Sequence, residues 1–261
     1  MLGEAADEKT VIRMMNRVRE LLRLLRAPRL SVYLMVSAAR ENDPFYERLV
    51  EDFVRDANKR HKRLPLLPAF SWGVAIGQLP DRAGEYVNRI ESSGKRNYKK
   101  ALRMGYTFER IEYNRHLDDV RNILGSTHVR QGAFPAEELV HSVHECKNPP
   151  SRSNIHDYPY FGVLKDGRLR AYAACLVAGE LMLIEHIYGH AAVQADGVVP
   201  MLLVSMADYA RTHYPCVRYY AYGSYFGAGA NMRRFKRKFN FEPRHVLWVS
   251  DRGPDAGRSP G

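Results

Sequence analysis

Nothing in the 261 residues approaches the ~20 consecutive apolar residues that a bilayer-spanning helix needs. Cysteine is scarce: Cys146, Cys175 and Cys216 are odd in number, widely spaced and free of any C-x-x-C pair. A disulfide scaffold is therefore not expected, and the thiols read as reduced and buried. The N-terminus, MLGEAADEKT, is polar and acidic and lacks the basic-then-apolar order of a secretory signal, so the expected compartment is the cytoplasm. There is no G-x-S-x-G elbow, no Walker A loop and no H-E-x-x-H pair, which leaves hydrolase, P-loop and zincin chemistry without support. His141 and His144 share a helix face, but no second ligand cluster accompanies them, and a zinc site takes three or four; no metal is expected.

Acidic charge is also in deficit. Forty Lys and Arg against 29 Asp and Glu leave a net charge of +11. A surface this basic attracts polyanions: nucleic acid, anionic lipid or a phosphate-rich cofactor. The apolar content of 45% suffices for a sizeable core, and the length allows one large domain or two small ones.

The apolar periodicity divides the chain. Residues 10–26 predict a basic amphipathic helix, with Ile12, Met15, Leu22 and Leu25 on one face and Pro28 as its stop. Such a helix either packs on the domain or lies on a membrane or nucleic acid. Strands are expected at 30–37 and 70–77, and helices after Asp43-Pro44 and from Asp81 through Ile90. A basic segment, SGKRNYKKALRMG at 93–105, marks the expected boundary between an N-terminal α/β arm (1–94) and a main domain (95–250); a Gly/Pro-rich tail (251–261) is expected to be disordered. From residue 106 the pattern reads strand, helix, helix, three strands, helix, strand, helix, strand. Asp166-Gly167 and Ala178-Gly179 supply the hairpin turns between the three central strands.

That order resembles the GNAT acyltransferase fold over residues 106–250, more than half the chain. It implies an α/β domain with a mixed, mostly antiparallel twisted sheet flanked by helices. The run Phe235-Lys236-Arg237-Lys238-Phe239-Asn240-Phe241 is similar to the last helix and strand of these enzymes, with Asn240 where Gly is usual; either residue suits a left-handed helix stop. The family's acyl-CoA motif, Q/R-x-x-G-x-G/A, is matched in part by Gln194-Ala195-Asp196-Gly197-Val198-Val199. Here Val199 replaces the last small residue, and Pro200 removes one N–H. Such loops hold a pyrophosphate because glycines let backbone N–H groups approach it at a positive helix end.

The segment from Lys95 to Tyr106 also resembles the R-x-x-R-K-A-x-K-x-G-V run of the Fem peptidyltransferases and Fem-like acetyltransferases. The order of Pro200, Tyr220-Ala221-Tyr222-Gly223 and Phe235-Lys236 is similar to their P…Y-D-x-G…F-K pattern, with Ala221 in place of the Asp. The resemblance implies an acyl group moved to an amine from acyl-CoA (acetyl-CoA) or from aminoacyl-tRNA. The acceptor would be a small molecule or a peptide.

Amine acylation needs a proton acceptor, donors for the oxyanion and an acid for the leaving group. The resemblance implies a cleft between Ile184–Gly189 and Tyr219–Gly223. It points to Glu185 as base, with His186 on the opposite face by the period-two rule and His190 as a second candidate. Tyr222 and Tyr225 are candidate acids, with Tyr225 favoured because YGSYFGAGAN reads as a flexible glycine-rich edge. Lys236 is implied at the acyl-transfer site beside Phe235, and the surrounding arginines favour phosphate contact. Gln194, Gly197, Val198 and Val199 are the candidate cofactor loop, and Arg130 is a candidate ligand for an acceptor carboxylate or phosphate. Each has a plain alternative as a core, ion-pair or surface residue. An inactive GNAT-like module binding nucleic acid or membrane through basic helices remains a third reading.

Overall fold

The computed structural model describes residues 15, 22, 26–40, 43–61, 64–128, 135–225 and 228–251. Arg130, the tail beyond Asp251 and most of the expected helix over 10–26 lie outside the described residues. Within that span Met15, Leu22 and Arg26 are described; Met15 and Leu22 are helical and about half exposed, and Arg26 is in a turn.

The chain begins with β1 (Arg29–Tyr33), α1 (Val36–Arg40), α2 (Pro44–Asn58), β2 (Arg60–His61), β3 (Leu64–Pro68), β4 (Trp72–Gln78), α3 (Tyr86–Arg89) and α4 (Ser92–Arg103). The strand expected over 30–37 ends at Tyr33, because Met35 takes a positive φ of 51° that breaks the extended run. The helix expected from Asp81 shrinks to α3, since turns and Gly84 at φ 82° fill the earlier residues. The basic segment at 93–105 is itself a helix, α4.

Beyond it come β5 (Thr107–Ile111), α5 (Leu117–Gly125), α6 (Ala136–His141), β6 (His156–Asp157), β7 (Tyr160–Lys165), β8 (Arg168–Ala178), β9 (Leu181–Gly189), α7 (Val198–His213), β10 (Tyr219–Ser224), α8 (Ala230–Lys238) and β11 (Glu242–Val249). The expected order is present, with the short β6 added. Asp166 and Gly167, at φ 52° and 71°, make the β7–β8 turn. Asn240, at φ 60°, supplies the left-handed stop after α8.

The large sheet runs β1-β11-β4-β10-β9-β8-β7-β5, and β6 pairs with β8. The pairs β1–β11 and β9–β10 are parallel and the rest are antiparallel. The sequence boundary at 94/95 is not a boundary of the sheet: β4 pairs with β10 on one side and β11 on the other, and β1 extends the edge beyond β11. The run Gly73–Gly77 is wholly buried, so β4 needs ladder partners on both edges and cover on both faces.

One face of the sheet packs on α7 and α4 around Leu202, Leu203, Met206 and Ala101. A second core gathers Val50 of α2 with Val32, Leu176, Leu181 and Trp248. A third joins Val120 and Ile123 of α5 to Leu164, Leu169 and Tyr172. The sheet curls until the end of β1 reaches the β8–β9 turn. There the Glu180 N–H donates to Tyr33 O (2.9 Å), the Tyr33 N–H donates to Glu180 Oε2 (3.1 Å), and His156 Nε2 lies 2.9 Å from Leu34 O.

Gly179 stands in this closure at φ 54°, and a Cβ there would overlap the carbonyls of Tyr33 and Leu34. Gly84 has φ 82° with open space around it. Gly179→Ala is expected to cost about 2–4 kcal/mol in denaturant unfolding and Gly84→Ala about 1 kcal/mol. Equal costs would contradict the closure.

Candidate functional site

The parallel ladder between β9 and β10 has three pairs, Tyr219↔Leu181, Tyr220↔Met182 and Ala221↔Leu183. Past Leu183, β9 stays on β8 as far as Gly189, while β10 returns to β4 at Ser224↔Val74. Each strand keeps another neighbour, so the two diverge without losing both ladders. A cavity of about 410 Å³ opens at this splay. Tyr188 and Gly189 of β9, Tyr222 of β10, Gln194 of the turn before α7, Val199 and Pro200 at the start of α7, Met232 and Phe235 of α8, and Asn97 of α4 line it.

Lys236 sits behind this lining, against Tyr222. α8 turns Phe239 and Lys236 inward, and Lys236 is only 5% exposed. Its Nζ donates to Ser224 O (2.8 Å) and lies 5.0 Å from the Tyr222 ring centroid and 5.8 Å from that of Tyr225. Gly223, at φ 58°, brings the backbone of β10 round beside it. Burial, with no carboxylate partner among the described residues, disfavours the ammonium and lowers the Lys236 pKa from 10.5 to about 8. The solvated face of α8 falls to Arg237 and Arg234 instead.

The other candidates divide. Tyr222 is buried and lines the cavity. Tyr225 is not on a flexible edge: it is 4% exposed, and its hydroxyl donates to Phe241 O (2.6 Å), which makes it a structural tie. Glu185 occupies a β-bulge, because Cys175 pairs with Ile184 and Ala174 with His186. A bulge cancels the period-two alternation, so Glu185 and His186 are both exposed rather than divided between faces. Glu185 Oε2 accepts from Tyr158 Oη (2.6 Å) and is not part of the lining of the splay cavity. His190 caps the 3-10 turn Ala191–Asp196, with Nδ1 accepting from the Ala192 N–H (3.2 Å).

The candidate cofactor loop is tied to α4. Lys100 Nζ donates to Ala195 O (2.8 Å) and lies 3.5 Å from Asp196, whose other oxygen accepts from Tyr106 Oη (2.8 Å). Gly197, at φ 90°, lies so close to α4 that a Cβ would overlap the Asn97 carbonyl. The Gly197 N–H donates to Gln194 O, and Val198 is wholly buried. Of the four loop candidates, Gln194 and Val199 face the cavity. Phe235 does so from α8, as its place beside Lys236 implied. Among the described residues no group of three or more His, Cys, Asp or Glu could hold a metal, and no helix is long and apolar enough to cross a membrane.

Sequence reading missed Asn97 and Tyr188. The signal for Tyr188 was present: Tyr158/Tyr160 and His186/Tyr188 are spaced by two and fall on one sheet face.

No protein-family model matches the sequence, and no curated protein matches it significantly. Solved structures do resemble the fold. FemX aligns over 66% of this chain and 59% of its own at 13% identity, with a TM-score of 0.50. The C-terminal domain of a putative lysylphosphatidylglycerol synthetase from Agrobacterium fabrum aligns over 65% of this chain and 57% of its own (18% identity, TM-score 0.43). A tandem GNAT protein from the clavulanic acid pathway aligns over 66% of this chain and 50% of its own (14%, 0.42). The chain has a GNAT fold, and FemX is among its structural relatives. It covers less than two thirds of the length of these neighbours.

The lowered Lys236 pKa has a measurable sign. Between about 8 and 10.5 the unfolded chain binds a proton that the folded chain does not, so stability contributed by this group rises with pH across that window. Below it, the buried ammonium opposes folding by about 3 kcal/mol at most. Lys236→Met is therefore expected to raise the melting temperature at pH 7 and to lose that advantage above pH 10. A variant less stable than the parent at pH 7 would contradict the buried charge.

Proposed function

We propose that this chain is an acyltransferase that moves an aminoacyl or acyl group to an amine within the β9–β10 splay. The observation that carries this reading is Lys236, buried with no carboxylate partner among the described residues and set over Tyr222, which lines the cavity. A neutral amine attacks the carbonyl of an activated ester or thioester, and a C–N bond forms as the C–O or C–S bond breaks. The Lys236 ammonium faces the oxyanion that develops, in surroundings of low dielectric where a fixed donor is worth most. Tyr222 carries the hydroxyl that protonates the leaving group, and its phenolate would be held by the ammonium beside it. Tyr222 then takes back the proton that the amine sheds, since Glu185, bonded to Tyr158, lies outside the lining of the splay.

For the donor, the surface favours an aminoacyl ester carried on tRNA. α4 presents Lys95, Arg96, Lys99, Lys100 and Arg103, and α8 presents Arg233, Arg234, Arg237 and Lys238, with no acid on either helix. The helices meet where the Glu91 N–H donates to Lys238 O (2.9 Å), and each lends a residue to the cavity. Two basic helices around one mouth suit a polyanion larger than a single pyrophosphate. The 194–199 loop, by contrast, carries the Asp196 carboxylate and abuts the Asn97 carbonyl, and both repel phosphate. Acyl-CoA is the second reading, favoured by Gln194 and Val199 at the cavity.

Lys236→Met is expected to lower kcat by about 100-fold or more. The paired charge reversal Arg233→Glu, Arg237→Glu should weaken binding of charged tRNA by about tenfold and flatten its salt dependence, as filter binding across a salt series would read. Millimolar acetyl-CoA should leave the melting temperature unchanged. Stabilisation by acetyl-CoA with no binding of charged tRNA would overturn this choice of donor.

A further inference from the structure

A second cavity, about 550 Å³, lies on the sheet face that carries α5 and α6. Tyr113, Tyr158, Tyr160, Tyr172, Tyr188 and His186 form its wall. The rings make one continuous row. Tyr158 and Tyr160 have centroids 5.6 Å apart, Tyr160 and Tyr113 4.4 Å, Tyr113 and Tyr172 6.3 Å, Tyr172 and Tyr188 5.7 Å, and Tyr188 and His186 6.4 Å. Core packing does not require tyrosine here, since Tyr113, Tyr158, Tyr160 and Tyr188 are only partly buried and open on the cavity. The cavity adjoins the splay, because Tyr188 lines both.

The wall is held from outside. The Asn114 side chain donates to Cys146 O (2.9 Å) and accepts from the Cys146 N–H (2.8 Å), and Tyr46 Oη donates to Pro149 O (2.8 Å). These bonds fix the segment that closes the cavity's far side. Burial pushes the phenols of Tyr113, Tyr158 and Tyr160 above the usual range, so the rings stay neutral. At the end of the row the Glu185 carboxylate accepts from Tyr158 Oη (2.6 Å). His144, Glu145 and Lys147 line the cavity from its exposed side, where the Lys147 and Glu145 charges offset each other and are open to solvent.

Tyrosine faces carry the negative side of a ring quadrupole, and a carboxylate at the end of the row adds a full charge of the same sign. That combination attracts an organic cation. An amine must be neutral to attack a carbonyl, so a charged group here is not the reacting one. We propose that this cavity binds an ammonium group and that the acceptor is a dibasic molecule. One amine, neutral, reaches the splay beneath Lys236, while the other, protonated, rests against the tyrosine row. The proposal rests on the acyltransferase reading for the reacting amine, whereas the cation site stands on its own geometry.

Calorimetric titration of the full chain with 1,5-diaminopentane and with the uncharged 1,5-pentanediol tests the site without any donor present. The diamine is expected to bind at least about tenfold more tightly than the diol. Tyr160→Phe, which keeps the ring, should retain that binding, and Tyr160→Leu should lose most of it. Tyr113→Leu, at a partly exposed ring, gives the same readout if Tyr160→Leu does not fold. Equal binding of diamine and diol, or full diamine affinity in the leucine variant, would overturn the inference. Amine acylation by a chain that does not bind the diamine would overturn this inference alone. Diamine binding by a chain that acylates no amine would support the cation site and overturn the function above.

Discussion

The three-pair parallel ladder between β9 and β10 is the constraint on which the rest of the site depends. A longer ladder would close the sheet and remove the cavity; a shorter one would free the two halves of the sheet from each other. The splay is tolerated because β8 and β4 hold the outer edges of the diverging strands. β4 is therefore more than an addition from the N-terminal arm. It supplies the partner that lets β10 leave β9, and its ladder with β11 fixes the strand that follows α8. The position of Lys236 is a consequence of both.

The opposite end of the sheet is closed where Tyr33 and Leu34 meet Gly179, Glu180 and His156. Closure there and splay here are two results of one twisted sheet. The apolar cores stabilise the frame, and the frame holds a lysine whose charge opposes folding. That local conflict is of the kind found where a side chain serves chemistry rather than stability.

The order of elements was legible in the sequence from residue 106 onward, because hairpin turns at Asp166-Gly167 and Gly179 and helical apolar spacing in α5 and α7 are local signals. The place of β4 was not legible. Its residues read as a strand, but which strands it would join is a long-range choice made by burial on both faces. Lys236 and Phe235 were singled out through their neighbours in sequence; the structure buries the first and turns the second to the cavity. Tyr225 was misread because a glycine-rich stretch resembles a mobile edge, whereas its hydroxyl is fixed on Phe241 by a contact that no local pattern announces. Glu185 and His186 were divided between faces by a rule that a bulge suspends, and the bulge depends on register with β8.

The site balances two demands. On the proposed reading, the donor's acyl carbon reaches the splay past basic helices, and the amine arrives from the sheet face lined with tyrosine. The most direct measurement is a structure of the chain with a non-hydrolysable aminoacyl-adenosine amide. On this account the acyl carbonyl oxygen lies within hydrogen-bond reach of Lys236 Nζ, between Tyr222 and Phe235. An acyl group bound elsewhere, with Lys236 still capped by Ser224 and untouched by the ligand, would contradict it.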